Sequence, residues 1–494
     1  MRRNLRIVFV TPEISPLAKS GELADLSGSL TRTLADAGAE VSVYLPKYRK
    51  PEIDSLAASA VRTELTVPLG EDRVRVSVLT AVMGKVQVFM IDSPRHFLRE
   101  SIYGSPQGPF LDNDERFVLF GRAVCEHMIK SRMKPDIIHC NNWPSSLVPV
   151  FMRTHYGRRV LFRNAVSVLT LHNAGYQGDF PPESLALTGL NWDFLNSEAA
   201  FFENRFNFLR SGVLYADAVN TVSRTYKKEI LSGLHGGKLK EILNRRPRTF
   251  SAIRNGIDPV EWNPESDAYI AAGFKGSNLD GKAVCRRDLK EELRLKNPEL
   301  RRPLLGMVSY LAPQKGVDLI MESLGDMIAM DIGLVVLGVG EEKYEKFFRQ
   351  AEIDYPGRVA VRFEPGTALT HKVIAGSDIL LIPSIHEPCG LSAMFAMKYG
   401  TIPVVRATGG LKETVSPHDP KTGKGVGFVF EEFSRSAFMD AVRQAVRIFE
   451  RQEEWRGIMN AAMDRNYSIR KTAGEYLKLY RKSLEIQGGK IHVE

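Results

Sequence analysis

Short apolar runs alternate with stretches of helical spacing over the first hundred residues. The run LRIVFVT begins at Leu5, apolar residues recur at helical spacing from Leu26 to Ala37, and EVSVYLP begins at Glu40. The later runs VQVFMID, PDIIHC and AVSVLTLHN are predicted to be further strands. Alternation of this kind is typical of βαβ units, so the first half of the chain is predicted to contain a parallel sheet.

A second series of apolar runs follows Asn255. The segments PLLGMVSYL, IGLVVLGVG, VAVRFEP, DILLIPS and TIPVVRA predict five more buried strands, each followed by helix-compatible sequence. Glycine and proline in NGIDPVEWNP, residues 255–264, mark the joint between the two series. We therefore expect an α/β protein with Rossmann-like domains at residues 1–255 and 256–465, and a helix within 466–494 that returns to the first domain.

The composition limits the class of protein. The chain has 494 residues, more than one core usually supports, with 44% hydrophobic and 25% charged residues. No apolar run approaches the roughly 18 residues of a membrane-spanning helix, and the N-terminal run is too short for a signal peptide. The four cysteines are widely separated, which argues against a zinc site or a disulfide framework. These features predict a cytoplasmic protein without a membrane partner.

The formal net charge of +9 suggests an anionic ligand. No nucleic-acid motif accompanies this charge, so we expect no nucleic-acid partner. Much of the excess lies in scattered pairs such as Arg245 and Arg246, which are typical of solvated surface. A cleft that binds a phosphate-bearing small molecule would also account for part of it.

Polar residues end several of the predicted strands. Ligands of open α/β sheets bind beyond the carboxyl ends of the strands. We therefore expect one crevice to be lined by His139, Asn141, Asn142, His172 and Asn173.

Two loops have the composition of phosphate-binding turns. Lys19 and Gly21 lie between the first strand and its helix, and Lys315 lies in a glycine-containing loop after a later strand. Backbone N–H groups and a lysine in such a loop can neutralise a phosphate. A plain strand–helix turn and a surface lysine remain the alternative interpretations.

The segments EPCGLS and TGGLKETV place small residues just before helices. Glu387 ends the strand DILLIPS, and Gly390 precedes the next helix, where N–H groups could meet a diphosphate. Gly409 and Gly410 repeat the arrangement. Close approach to a ligand would explain the paired glycines, and so would a tight turn.

The loop KSGELADL resembles the KTGGLADV loop near the start of glycogen and starch synthases. The likeness continues in order from Lys19 to Val415. The matching blocks are DNDERFVLFGRA, PDIIHCNNW, LTLHNAGYQG, NFLRSGVLYADAVNTVS, RNGIDPVEWNP, LDGKAVCRRDL, QKGVDL, and EPCGLS with TGGLKETV. The chain thus resembles the bacterial glycogen (starch) synthases of the ADP-glucose type, within the GT-B glycosyltransferase superfamily.

The resemblance implies a fold and a reaction. GT-B enzymes have two Rossmann-like, doubly wound parallel-sheet domains facing a central cleft, with the acceptor on the first domain and the nucleotide-sugar on the second. The implied reaction moves glucose from ADP-glucose to the non-reducing end of an α-1,4-glucan such as glycogen, with retention of configuration. Such enzymes need no cofactor and no metal, because lysine, arginine and helix N-termini neutralise the diphosphate.

The resemblance also implies roles for individual residues. Lys19 and Lys315 would stabilise the phosphates and leaving group, and Glu387 and His172 would orient the glucose. The nucleotide-sugar site would comprise Lys19, Gly21, Asp25, Asn142, Asn255, Lys315, Cys389, Gly390, Leu391, Thr408, Gly409 and Gly410. Asp25 could instead be a helix cap and Asn255 a turn residue.

Five positions depart from the family pattern. Glu22 replaces a glycine of the first loop, Asn142 an aspartate, Pro144 a histidine or glutamine, and Tyr310 and Ile385 each replace an arginine. These departures leave open two alternatives: a synthase-like glucan-binding or regulatory protein that has lost turnover, and a GT-B transferase with a different donor.

Overall fold

The computed structural model describes residues 4–105, 108–191, 201–296, 302–364 and 366–491. The chain forms two compact units. Unit 1 comprises Met1–Asn255 with Ile469–Glu494, and unit 2 comprises Gly256–Ser468. Elements are numbered in chain order.

Unit 1 is built on a nine-stranded sheet in the order β14-β13-β9-β8-β1-β2-β5-β4-β3. Its strands and short outlying strands are β1 Arg6–Val10, β2 Glu40–Pro46, β3 Val61–Leu69, β4 Asp72–Met83, β5 Val86–Asp92, β6 Gly104–Ser105, β7 Gly108–Pro109, β8 Ile137–Asn141, β9 Val166–Leu171, β10 Asp179–Phe180, β11 Phe201–Phe202, β12 Arg205–Asn207, β13 Ala218–Thr221 and β14 Phe250–Ala252.

The sheet is parallel from β14 to β5 and antiparallel where β4 and β3 extend it. The β3–β4 hairpin adds two strands that the sequence analysis did not identify. The central strands β1, β8 and β9 are buried along almost their whole length, as expected for a parallel sheet covered on both faces. Their carboxyl ends therefore lie side by side at one edge.

Unit 1 contains helices on both sides of this sheet. Their bounds are α1 Glu22–Asp36, α2 Pro51–Ala57, α3 Pro94–Phe97, α4 Asn113–Lys130, α5 Asn142–Ser145, α6 Leu147–Arg153, α7 Val160–Asn164, α8 Ser184–Thr188, α9 Phe208–Tyr215, α10 Arg224–Ser232 and α11 Lys240–Asn244.

Helix α1 begins four residues before the expected start. Gly21 is extended and acts as the N-cap, so that Glu22 opens the first turn. Leu23, Leu26 and Leu30 recur at helical spacing and are buried. Asp25 consequently lies inside the helix, and its interpretation as the cap is wrong.

Unit 2 is built on a parallel sheet in the order β17-β16-β15-β18-β19-β20. The strands are β15 Leu304–Val308, β16 Gly333–Leu337, β17 Val359–Arg362, β18 Ile379–Ile382, β19 Ile402–Arg406 and β20 Phe428–Phe430. The helices are α12 Asp280–Glu292, α13 Val317–Ala329, α14 Glu342–Asp354, α15 Thr367–Gly376, α16 Leu391–Lys398, α17 Leu411–Thr414, α18 Arg435–Phe449 and α19 Gln452–Met463. All five expected strands are present, and β20 is added at the edge.

The last helix, α20 Ile469–Ile491, belongs to unit 1. Its buried residues Ile469, Ala473, Tyr476 and Tyr480 join the core that contains β1, β2 and α1. The 213 residues of unit 2 therefore separate α20 from the rest of its own compact unit.

Two further features concern membrane-spanning helices and disulfide bonds. Among the described residues, no helix combines the length and apolar composition needed to cross a bilayer. All four cysteines are buried thiols rather than disulfides.

Candidate active site

The loop between β1 and α1 carries Lys19 on its surface. The Lys19 side chain is half exposed, and its Nζ lies 2.8 Å from Oδ1 of Asp25 in the first turn of α1. Asp25 is much less exposed than Lys19. The structure thus brings together two of the sequence-predicted site residues as an ion pair at the carboxyl end of β1.

The buried Glu13 carboxylate forms hydrogen bonds with the loop between β1 and α1. The sequence analysis did not identify Glu13. Its Oε2 accepts hydrogen bonds from the backbone N–H groups of Ser20 and Gly21, at 2.8 and 3.0 Å, and its Oε1 accepts one from the Tyr103 hydroxyl at 2.8 Å. Burial raises the pKa of Glu13, and these three donors oppose that shift. The N–H groups of Ser20 and Gly21 are therefore directed to Glu13, contrary to the expectation that this loop presents them to a phosphate.

Asn142 and His172 meet at the ends of the neighbouring strands β8 and β9. Oδ1 of Asn142 accepts the backbone N–H of His172 at 2.8 Å. Asn142 has a positive φ of 56°, a conformation that asparagine adopts more readily than most residues. The strand ends thus bring these two predicted site residues into direct contact.

The His172 ring is fixed by Asn141. Nδ2 of Asn141 donates to the carbonyl of Val10, so its Oδ1 is the acceptor for Nε2 of His172 at 2.9 Å. Nε2 therefore carries the proton, and Nδ1 is the acceptor nitrogen of the neutral ring. Burial lowers the pKa of His172 to about 3, which keeps the ring neutral at physiological pH.

His139 does not line a crevice as expected. It is fully buried, with Nδ1 2.7 Å from the Tyr480 hydroxyl and Nε2 2.6 Å from Oγ1 of Thr170. Burial, with a smaller effect of His172, lowers the pKa of His139 to about 3. The correction follows from α20, which covers this face of the sheet.

Asn255 is the last residue of unit 1 and is buried. Its Oδ1 has no hydrogen-bond partner among the residues that the structure describes. An unmatched buried acceptor costs stability unless a water or a ligand donates to it.

In unit 2, Lys315 and Glu387 form an ion pair. Nζ of Lys315 lies 2.8 Å from Oε2 of Glu387, which also accepts the hydroxyl of Ser384 at 3.1 Å. Only 5% of the Glu387 side chain is exposed, against 22% for Lys315. The lysine is thus the more accessible member of the pair, on the loop that follows β15.

The backbone around Glu387 packs against the paired glycines. A Cβ on Gly409 would lie 2.2 Å from the Glu387 carbonyl oxygen, and a Cβ on Gly410 would lie 2.0 Å from that of Cys389. The N–H of Gly410 also donates to the Glu387 carbonyl at 2.9 Å. Close approach of two protein segments therefore requires glycine at both positions.

The remaining predicted residues of unit 2 surround this contact. Cys389 is buried, Gly390 has a φ of 78° and opens α16, and Leu391 is the first residue of that helix. Oγ1 of Thr408 donates to the Ile385 carbonyl at 3.3 Å. The predicted residues of unit 2 thus cluster at the carboxyl ends of β15, β18 and β19.

Arg406 is a cation at this cluster that the sequence analysis missed. It is the last residue of β19, and its Nη1 donates to the Ile385 carbonyl at 2.9 Å. An arginine at the carboxyl end of a buried strand was the available signal.

Comparison with known proteins assigns the chain to a family. Residues 6–245 match the starch synthase catalytic domain, and residues 290–457 match the glycosyl transferases group 1 family. A glycogen synthase of Koribacter versatilis is 42% identical over 98% of this chain and 99% of its own length. Glycogen synthase 2 of Geobacter metallireducens is 36% identical over 98% of this chain and 100% of its own length. The chain belongs to the glycogen synthase family.

Solved structures agree with this assignment. The catalytic domain of starch synthase IV from Arabidopsis thaliana, bound to ADP and acarbose, has a TM-score of 0.91 and 30% identity, covering 98% of this chain and 100% of that one. A sucrose-phosphate synthase from Thermosynechococcus elongatus has a TM-score of 0.60 and 15% identity, covering 97% and 99%, which supports the fold alone. As a member of the glycogen synthase family, the protein is a glycosyltransferase with the GT-B fold.

Three of the family departures have distinct surroundings. Asn142 keeps, through Oδ1, the acceptor that an aspartate would offer. Glu22 is partly buried in the first turn of α1, and the side chain of Tyr310 is exposed. The replaced cation position therefore faces solvent, where a different side chain can be accommodated.

Proposed function

We propose that this glycogen synthase family member transfers glucose from ADP-glucose to the non-reducing end of an α-1,4-glucan, with retention of configuration. The observation that carries the proposal is the cluster around the Lys315–Glu387 pair, which follows three adjacent parallel strands. Such strand ends are where nucleotides bind in doubly wound sheets. The ADP in the Arabidopsis relative supports an adenine nucleotide as the donor.

Lys315 has the position and charge for leaving-group stabilisation. Negative charge develops on the diphosphate as the bond to glucose breaks, and a fixed cation favours that state. The same ammonium lies 2.8 Å from Oε2 of Glu387. We assign Lys315 to the diphosphate and Glu387 to the glucose hydroxyls, with Cys389, Gly390, Leu391 and Thr408 bordering the nucleotide-sugar.

His172 supplies a neutral acceptor in unit 1. Because its Nε2 donates to Asn141, the acceptor nitrogen Nδ1 remains for a sugar hydroxyl. We assign His172 to orienting the glucose, with Asn142 fixing its backbone and Asn255 bordering the nucleotide-sugar. Lys19, half exposed on its loop, is assigned to phosphate.

The proposal assigns no protein side chain as the general base for the acceptor hydroxyl. In a retaining transfer of this kind, the departing phosphate oxygen takes the proton from the incoming hydroxyl as the new glycosidic bond forms. The protein then contributes mainly orientation and charge stabilisation.

The test is incorporation of radiolabelled glucose into glycogen by the purified full-length protein. We expect incorporation from ADP-glucose, little from UDP-glucose, and an α-1,4-linked product that β-amylase degrades. A Lys315→Gln variant serves as the inactive control, and Tyr44→Phe, whose hydroxyl contacts His127 and Met133 rather than an assigned residue, serves as the active one. Incorporation from UDP-glucose alone would refute the donor assignment, and glycogen binding without any incorporation would refute the transferase.

A further inference from the structure

A chain of buried hydrogen bonds leaves α20, crosses three strands and returns to the same helix. The Tyr480 hydroxyl meets Nδ1 of His139 at 2.7 Å, and Nε2 of His139 meets Oγ1 of Thr170 at 2.6 Å. Thr170 then donates to Oδ1 of Asn220 at 2.7 Å, and Nδ2 of Asn220 donates to the Tyr476 hydroxyl at 3.2 Å. All five side chains are fully buried.

The donors along this chain all point the same way. Since Thr170 gives its proton to Asn220, it must accept the Nε2–H of His139. Nδ1 of His139 is then an acceptor and receives the hydroxyl proton of Tyr480. Each bond therefore depends on the orientation of the preceding group, and bonds in such a chain strengthen one another.

The three strand residues belong to adjacent strands. His139 is on β8, Thr170 on β9 and Asn220 on β13, which are consecutive in the sheet. Their side chains share the face that α20 covers. Tyr476 and Tyr480 are four residues apart and so project from the same side of the helix.

The candidate-site residues Asn141 and His172 lie next to this hydrogen-bonded chain, at the carboxyl ends of β8 and β9. Alternate residues of a strand face the same side, so Asn141 follows His139 on this face. His172 comes directly after β9, two positions beyond Thr170. There Nε2 of His172 donates to Asn141 at 2.9 Å. The side chains bonded to α20 and those that form the Asn141–His172 bond therefore lie two positions apart along the chain, at both strands.

We propose that Tyr480 and Tyr476 are positioning residues for glucosyl transfer, acting through His139 and Thr170 on the Asn141–His172 pair. The proposal rests on the proposed function for its kinetic readout. Tyr480 lies 341 residues further along the chain than His139. Helix α20 thereby helps to position side chains that belong to distant strands.

The structure offers a matched control for this proposal. Tyr44 on β2 is also fully buried, and its hydroxyl lies 2.7 Å from Nδ1 of His127. Tyr44→Phe and Tyr480→Phe each remove one hydroxyl from a buried tyrosine–histidine pair while keeping the ring. Only the second pair continues to the candidate site.

The experiment compares both variants in the full-length protein. We expect both to lower the melting temperature by a similar few degrees. Tyr480→Phe should lower kcat about tenfold with little change in the KM for ADP-glucose. A shift of the His172 ring by a fraction of an ångström would leave the glucose less well aligned for transfer. Tyr44→Phe should keep the kcat of the wild type. An equal kcat in the two variants would overturn the proposal.

A second readout does not depend on activity. Hydrogen exchange measured by mass spectrometry should speed up in the peptide containing His172, whose amide donates to Asn142, in Tyr480→Phe but not in Tyr44→Phe. This readout separates failure of the proposal from failure of the proposed function, since it applies even if no glucose is transferred. Should Tyr480→Phe not fold, Tyr476→Phe replaces it, because its bond to Asn220 is longer at 3.2 Å.

Discussion

Oδ1 of Asn142 accepts the backbone N–H of His172 at 2.8 Å, where the family pattern has an aspartate. The substitution exchanges a carboxylate for an amide and keeps the acceptor atom. The other terminal atom of the side chain is Nδ2, a donor, where an aspartate would have a second acceptor oxygen. The structural role of this position is therefore retained although its charge is lost.

This relationship predicts opposite outcomes for two substitutions at Asn142. Asn142→Asp keeps the acceptor, so we expect kcat within about threefold of the wild type. Asn142→Gly tolerates the positive φ but removes the acceptor, and should lower kcat at least tenfold, since a partly buried N–H loses its partner. Glucose incorporation from ADP-glucose measures both. Equal loss in the two variants would mean that the amide nitrogen, rather than the oxygen, is required.

The Lys315–Glu387 pair predicts a non-additive double substitution. Removing one transition-state stabilising charge costs on the order of 100-fold to 1000-fold in kcat, so we expect losses of this size for Lys315→Gln and Glu387→Gln. The double variant should lose less than the product, because the two groups act together.

Stability provides the matching control for this pair. Lys315→Gln leaves the buried Glu387 carboxylate without its cation and should lower the melting temperature, whereas the double variant should recover part of that loss. Strictly additive effects on both kcat and melting temperature would contradict the interaction seen here.

The strand pattern predicts most of the fold because buried parallel strands are continuous apolar runs that end at polar residues. The β3–β4 hairpin follows a different rule. In β3, Leu65, Val67 and Leu69 are buried while the intervening residues are more exposed, which is the two-residue period of a strand with one covered face. Attention to that period would have identified the hairpin.

The candidate site is predictable only where local sequence decides it. Asn142 and His172 follow buried strands directly, and the strand order places them together. The burial of His139 depends on Tyr480, 341 residues away, and the contact of Glu13 with Gly21 depends on the path of a loop. Neither follows from spacing along the chain.

Tyr310 stands where the family has an arginine and is largely exposed. Tyr310→Arg would add a second cation to the loop that follows β15 and carries Lys315, without disturbing the core. We expect kcat/KM for ADP-glucose to rise about tenfold, equivalent to roughly 1.4 kcal/mol. Tyr310→Gln controls for loss of the ring and should give no gain. If the arginine and glutamine variants behave alike, the missing cation does not limit this enzyme.

Two buried histidines predict acid sensitivity of unit 1. Burial lowers the pKa of His127 to about 4 and that of His139 to about 3, below the value of about 6.5 in an unfolded chain. The unfolded chain therefore binds more protons below pH 6.5, and stability is lost as pH falls from there towards 4 and 3. Each group contributes up to about 1.4 kcal/mol per pH unit in that window.

Substitution of one histidine isolates its part of the pH dependence. The protein is equilibrated in urea at pH 7 and at pH 5, and the unfolded fraction of unit 1 is read from a short pulse of hydrogen-exchange labelling at one fixed pH. The two free energies of unfolding give the slope of stability with pH. His127→Gln cannot titrate, so its slope between these two pH values should be smaller by about 0.7 proton. An unchanged slope would show that His127 is protonated equally in the folded and unfolded chain.

Gly410 predicts a steric test of the loop that carries Glu387. Its φ of −65° suits alanine, so Gly410→Ala adds only a Cβ, which would lie 2.0 Å from the Cys389 carbonyl oxygen and 2.3 Å from its carbon. The Glu387–Cys389 segment must then move, and we expect kcat to fall at least tenfold with a lower melting temperature.

Gly325→Ala is the control, because that glycine lies in α13 with nothing within 4 Å of its Cβ position. Alanine there should be neutral or stabilise the helix by up to about 1 kcal/mol. Full activity and stability in Gly410→Ala would mean that the loop can shift without consequence, and that the close contact does not position Glu387.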